Sequence, residues 1–136
     1  RLFNFILIIS LNKKFTNLGK NMTRGNEKIY KYNEKEYKCP LEASMDLLAG
    51  KWRALIIWHL IKEDLRFSQI QKIVPGISKK VLSEHLRIME QNELIERTVF
   101  PEVPPRVEYN ITAKGKTLFE PLNYLENWAR KNMKKK

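Results

Sequence analysis

Three prolines crowd into five positions, Pro101, Pro104 and Pro105, inside the stretch FPEVPPRVEYNIT at residues 100–112. Proline has no backbone N–H to give to a ladder and fixes its own φ, so residues 101–105 are confined to a loop. On either side lie LIERTVF and RVEYNIT, which alternate apolar and polar residues as half-buried strands do. The expected element is an antiparallel hairpin with a stiff tip, protected from pairing with another chain. A stiff tip also loses less conformational entropy when it docks on a partner. Arg106 stands at its base. A rigid loop without a binding role is the alternative for the same residues.

What precedes the hairpin gives it a context. RFSQIQKIV places Ser68 to cap a short helix with Ile70, Ile73 and Val74 on one face. PGIS makes a tight turn, and in SKKVLSEHLRIMEQNEL the residues Leu82, Leu86 and Met89 recur at helical spacing. Lys79, Lys80, Ser83 and Arg87 then fall on a different arc. Helix, tight turn and a longer helix with a basic outer arc form a helix-turn-helix, and the hairpin is its wing, with Arg106 aimed at phosphate or a minor groove. Two helices come before it. PLEASMDLLAG starts at Pro40, carries Leu41, Met45, Leu48 and Ala49 at helical spacing and ends at Gly50. KWRALIIWHLI is apolar on nearly every side and is expected at the centre of the core, with Trp52 and Trp58 as packing residues.

After the hairpin, TAKGKTLFEPLNYLENWARKNMKKK begins at a capping Thr112 and sets Leu118, Leu122, Leu125 and Ala129 at helical spacing beside Trp128. Pro121 kinks this segment or starts a new helix. A domain this small leaves it little surface to cover, so pairing with a second subunit is favoured over packing on its own core. Leu118, Leu122, Leu125 and Trp128 are the expected dimerisation residues. The fold class is α+β: a winged helix-turn-helix, mostly helical, with flanking dimerisation helices and a small antiparallel β-hairpin wing. The expected divisions are an N-terminal arm over 1–38, the DNA-binding core over 39–111 and a C-terminal dimerisation helix with a basic tail over 112–136.

Charge narrows the partners. Lys and Arg number 26 against 15 acids, a net +11 in 136 residues, which favours a polyanionic partner: a nucleic acid such as double-stranded DNA, or an anionic membrane surface. Cys39 with His59 and His85 supplies no metal-ligand spacing, and phosphate-loop and nucleophile-elbow motifs are absent from the sequence. Neither a cofactor nor an enzymatic activity is expected. LFNFILIISL near the start is too short to cross a bilayer as a helix and lacks a signal-type cleavage site, so no membrane is expected and the cytoplasm is the expected compartment. The first methionine is Met22, and residues 1–21 are read either as upstream of the natural start or as a hydrophobic arm that packs on a partner subunit. From Thr23 to Lys38 a polar, lysine-rich, aperiodic run reads as a flexible lead-in.

Taken together, CPLEASMDLLAGKWRALIIWHL, LRFSQIQKIVPGISKKVLSEHLRIMEQNELIERTVFPEVPPRVEYNIT and the Thr112–Gly115 turn resemble the HxlR-type winged helix-turn-helix regulators, relatives of the MarR group. The likeness runs from Cys39 to about Trp128. It implies a homodimeric bacterial transcription factor on an inverted-repeat operator, with a reading helix over Ser78–Gln91 that turns Lys79, Lys80, Ser83 and Arg87 to the major groove. Glu84 and His85 lie near that face, either tuning base choice or, for Glu84, pairing with Lys80 or Arg87 along the helix. Arg66, Ser68, Lys51 and Arg53 would touch phosphates and set register. Asn92-Glu93 departs from the family's small or glycine-containing turn, and Trp58 and Ile88 fall where polar residues are expected. A protein- or RNA-interaction module without operator specificity is the alternative use of such a surface.

Cys39 is the single cysteine, which excludes an internal disulfide and fits a reducing compartment. At a helix start, before Pro40 and after Lys38, exposed amides and positive charge favour its thiolate. In some relatives within the resembling family a cysteine at this CP position senses oxidants or electrophiles, and the resemblance implies a small thiol-reactive effector here. A buried, inert helix-start cysteine is the competing reading.

Overall fold

A computed structural model describes residues 28–136, which divide into two compact units, the first ending at Leu47 and the second running from Leu48 to Lys136. The expected arm over 1–21, and the lead-in up to residue 27, lie outside the described residues.

The first unit holds a hairpin where a flexible lead-in was expected. Strands β1 (Tyr30–Tyr32) and β2 (Lys35–Tyr37) pair antiparallel with Tyr32 opposite Lys35. Asn33 and Glu34 both take positive φ, 47° and 61°, as the two centre residues of a tight primed turn must. Helix α1 (Pro40–Leu47) follows, starting where Pro40 suits a first turn. Buried Tyr37 joins the two elements: its hydroxyl donates to Asp46 Oδ2 at 2.6 Å, and Lys35 Nζ lies 3.5 Å from the same oxygen. That hydrogen bond to a carboxylate, aided by burial, pushes the Tyr37 phenol up to about 12. The helix ends at Leu47, three residues before the Gly50 stop read from the sequence, and Leu41 and Met45 are exposed on it.

In the second unit, α2 (Arg53–Leu60) supplies Ile56, Ile57 and Leu60 to the core, all essentially inaccessible. It is central on one face and open on another, where Leu55 is exposed. Strand β3 (Leu65–Arg66), α3 (Phe67–Ile73) and α4 (Lys79–Gln91) come next. Ile70 and Val74 of the third helical segment are buried, whereas Ile73, expected on the same face, is exposed. Gly76, at φ 80°, makes the turn into α4, a conformation that an L side chain rarely adopts. Leu82, Leu86 and Met89 of α4 are buried as their spacing requires.

Strands β4 (Ile95–Phe100) and β5 (Arg106–Ile111) form the expected hairpin, in register from Ile95 opposite Ile111 to Phe100 opposite Arg106. An unforeseen partner joins them: β3 pairs with β5, so the sheet order is β3-β5-β4. Helix α5 (Ala113–Lys116) and α6 (Phe119–Asn132) close the chain, with Pro121 in the first turn of α6, where its missing N–H is harmless.

The α4–β4 junction is fixed by backbone. Leu94 N–H donates to Met89 O and Glu93 N–H to Glu90 O, both at 2.9 Å, with Glu93 at φ 58°. This is the double bond pattern of a glycine-ended helix made with a glutamate. Thr112 then binds the junction: its N–H donates to Leu94 O at 3.1 Å, its hydroxyl donates to Glu93 O at 2.6 Å and accepts from Gly115 N at 2.9 Å. A Cβ on Gly115 would lie 2.1 Å from Leu94 O, so only glycine fits this approach.

Candidate nucleic-acid interface

Helix α4 presents one wet face. Lys79, Lys80, Ser83, Glu84 and Arg87 are exposed, opposite the buried Leu82, Leu86 and Met89. Ser78 caps the helix by accepting from Val81 N at 3.2 Å, which fixes where the two lysines leave the backbone. Among the described residues Glu84 closes no ion pair with Lys80 or Arg87. His85 turns away from this face: it is half-buried, and its Nδ1 accepts from Arg53 Nε at 3.1 Å. Burial, with Arg53 beside it, lowers the His85 pKa, so the ring is a neutral acceptor that ties α4 to α2. Arg53 is thus engaged with α4, while Lys51 is exposed over the Trp52 ring at 4.6 Å.

Ser68 is exposed but is not the helix cap. The cap position is Arg66, whose N–H donates to Gln69 Oε1 at 2.7 Å, because pairing with Glu108 holds Arg66 extended at the end of β3. The wing arginine is more enclosed than its position suggests. Arg106 Nε faces Glu102 at 3.2 and 3.3 Å, Nη2 faces Glu102 Oε1 at 3.0 Å, and Nη1 faces Glu108 Oε1 at 2.5 Å. The Phe100 ring covers its face at 3.8 Å, and Arg66 reaches Glu108 at 3.6 Å. Hydrogen bonds to Glu102, then Glu108, raise the Arg106 pKa further. One open cleft of about 580 Å³ is lined in part by Glu90, Glu93, Glu96, Arg97 and Lys114. Its carboxylates make it a poor seat for a phosphate backbone.

Residues 47–136 match the HxlR-like helix-turn-helix family. The chain belongs to that family. It is a DNA-binding transcription regulator of helix-turn-helix type. YodB of Bacillus subtilis, an HTH-type transcriptional regulator, is 41% identical over 92 residues, 67% of this chain and 82% of YodB. The reduced form of YodB superposes with a TM-score of 0.63 at 39% identity, covering 71% of this chain and 95% of that one. The redox regulator HypR in its reduced form gives a TM-score of 0.66 at 33% identity, covering 69% of this chain and 93% of that one. The structure carries the α+β winged helix-turn-helix expected of an HxlR-like chain.

The expected pairing residues of this HxlR-like chain separate. Leu122 is buried in its own unit and Leu118 is half-buried, whereas Leu125 and Trp128 are more than half exposed, with Tyr124 beside them. Trp58 stacks on Phe119 at 5.8 Å and 11°, an apolar contact made inside the unit. Cys39 is half-buried, and its carbonyl accepts the first helical bond of α1 from Ala43 N at 3.2 Å. Among the described residues no cluster suited to a metal ion occurs, and no helix is long and apolar enough to cross a membrane. Sequence reasoning missed Glu102 and Glu108. Glu108 was findable, because residues two apart on a strand share a face.

Proposed function

We propose that this chain acts as a homodimer on a pseudo-palindromic operator, with α4 in the major groove and the wing on the adjacent backbone or minor groove. The observation that supports it best is the exposed Lys79, Lys80, Ser83, Arg87 stripe on a helix anchored from behind by three buried apolar residues. Two such helices related by a dyad meet half-sites about 34 Å apart, one turn of B-DNA. Glu84 on the same stripe is a candidate acceptor for a cytosine amino group. Arg66 and Ser68 at the start of α3 and Arg106 in the wing are assigned to backbone contacts. Exposed Leu125 and Trp128 are assigned to the subunit interface.

Cys39 is the proposed receptor for an oxidant or electrophile, an assignment supported by its place at the head of α1 and by the likeness to the redox regulator HypR. With a single cysteine per chain, the modified form is a bridge between subunits, a mixed disulfide with a small thiol or an alkylated thiol. Recovery of genomic fragments by the purified protein at about physiological salt, with and without a thiol-reactive compound, tests both parts. A pseudo-palindromic site in the bound fragments is expected, released on thiol modification but retained by Cys39→Ser. Absence of any preferred fragment overturns the operator reading; release of Cys39→Ser by the same compound overturns the sensor. At the site itself, Arg87→Ala is expected to cost about 1–3 kcal/mol and to relax specificity at one base pair, read by competition with single-base variants.

A further inference from the structure

The wing carries two glutamates on one arginine, and the structure gives them different surroundings. Glu108 is on β5, its side chain only 21% exposed, at 2.5 Å from Arg106 Nη1 and 3.6 Å from Arg66. Glu102 is on the loop beyond the ladder, 53% exposed, and spans the Nε and Nη2 donors. Those two donors are the parallel pair that a phosphate takes bidentately. Two arginines and two carboxylates gathered there cancel in charge, on a chain whose net charge is +11.

We propose that Glu102 is a latch on the wing. In the free protein it occupies the donor fork of Arg106, and a DNA phosphate binds there by displacing it. Glu108 is a positioning residue that keeps the guanidinium over Phe100 during the exchange. This rests on the operator-binding reading above and adds a self-inhibiting contact to the wing. Non-specific DNA offers Arg106 a phosphate that merely replaces a carboxylate, a near-even exchange. A site that also engages α4 holds the phosphate in place and wins. Glu102 therefore lowers affinity for any duplex that uses the wing, by the cost of opening its pair with Arg106. Its release is a side-chain rotation, since the loop itself is stiffened by Pro101, Pro104 and Pro105.

The test is binding of a labelled scrambled duplex, and of a fragment recovered from genomic DNA, by the full chain and its Glu102→Gln, Arg106→Ala, Glu108→Gln and double Glu102→Gln/Arg106→Ala variants across a salt series. Glu102→Gln is expected to bind the scrambled duplex roughly two- to fivefold tighter, the scale of an exposed ion pair. Its log-affinity slope against log salt steepens by up to about 0.9, one phosphate. The gain disappears in the double variant, and Glu108→Gln weakens binding instead. Tighter binding is not a result of misfolding. If Glu102→Gln leaves affinity and slope unchanged while Arg106→Ala weakens binding, the latch is wrong and the wing contact stands. If neither variant moves binding and the unaltered chain prefers no fragment, the latch and the operator reading fall together.

Discussion

Gly115 shows how much one residue can carry. Its absent side chain lets α5 close on the end of α4, where Thr112 takes three backbone partners. Gly115→Ala drives a Cβ to 2.1 Å from a carbonyl oxygen that belongs to backbone and has little room to yield. The expected loss is on the order of 3 kcal/mol in urea unfolding, with an unchanged denaturant slope. A serine or any larger residue in its place does no better, since every L side chain begins with the same carbon. From sequence, this glycine read as part of a turn; that it is a packing contact depends on the carbonyl of Leu94 at the α4–β4 junction, far earlier in the chain, which no local pattern displays. His85 teaches the same at a polar position. On a helical wheel it borders the wet face, yet Arg53 captures its Nδ1 from α2. Arg106 is a third case, since strand alternation fixes its face and not the carboxylate that the loop folds back onto it.

At the scale of elements, α4 was the most legible part of the chain. Three buried residues at i, i+4 and i+7 and a serine cap leave one solution for its axis and its start. Ser78→Ala is accordingly expected to destabilise the fold by about 1 kcal/mol and to weaken DNA binding through Lys79 and Lys80, which leave the first turn. Thermal melts and duplex titrations of the same variant separate the two effects. The β1-β2 hairpin was illegible because its turn is Asn33-Glu34, without the glycine that marks such turns. Strand β3 is two residues long, too short for any period to show. In α6 the spacing was right and the facing incomplete. A stripe of leucines does not say which member meets its own core, and Leu122 does while Leu125 does not.

The whole molecule is expected to respond to pH and to the subunit pairing proposed above. Burial lowers the pKa of both His85 and His59, so each ring is neutral when folded and charges more easily unfolded. Their contribution to stability is intact above pH about 6.5, the ordinary histidine value, and is lost as pH falls below it. The melting temperature is expected to drop on acidification from about pH 7 to about pH 5, with a smaller drop in His85→Gln, which keeps an acceptor for Arg53 without titrating. For assembly, Trp128→Glu places a charge in the exposed aromatic patch. Light scattering is expected to show dimers giving way to monomers, with dimer affinity lowered at least about thirtyfold, or about 2 kcal/mol. Charge and composition had already pointed to a polyanion, because both are sums that folding leaves unchanged. The sheet order has a consequence for how such a regulator diversifies. With β5 held between β3 and β4, the ladder closes at Phe100 and Arg106, and residues 101–105 are appended to a finished frame. Doubling the length of a loop costs only about 0.6 kcal/mol. The wing tip is thus an exchangeable cassette, and a lineage or an engineer can retune what it touches without refolding what carries it.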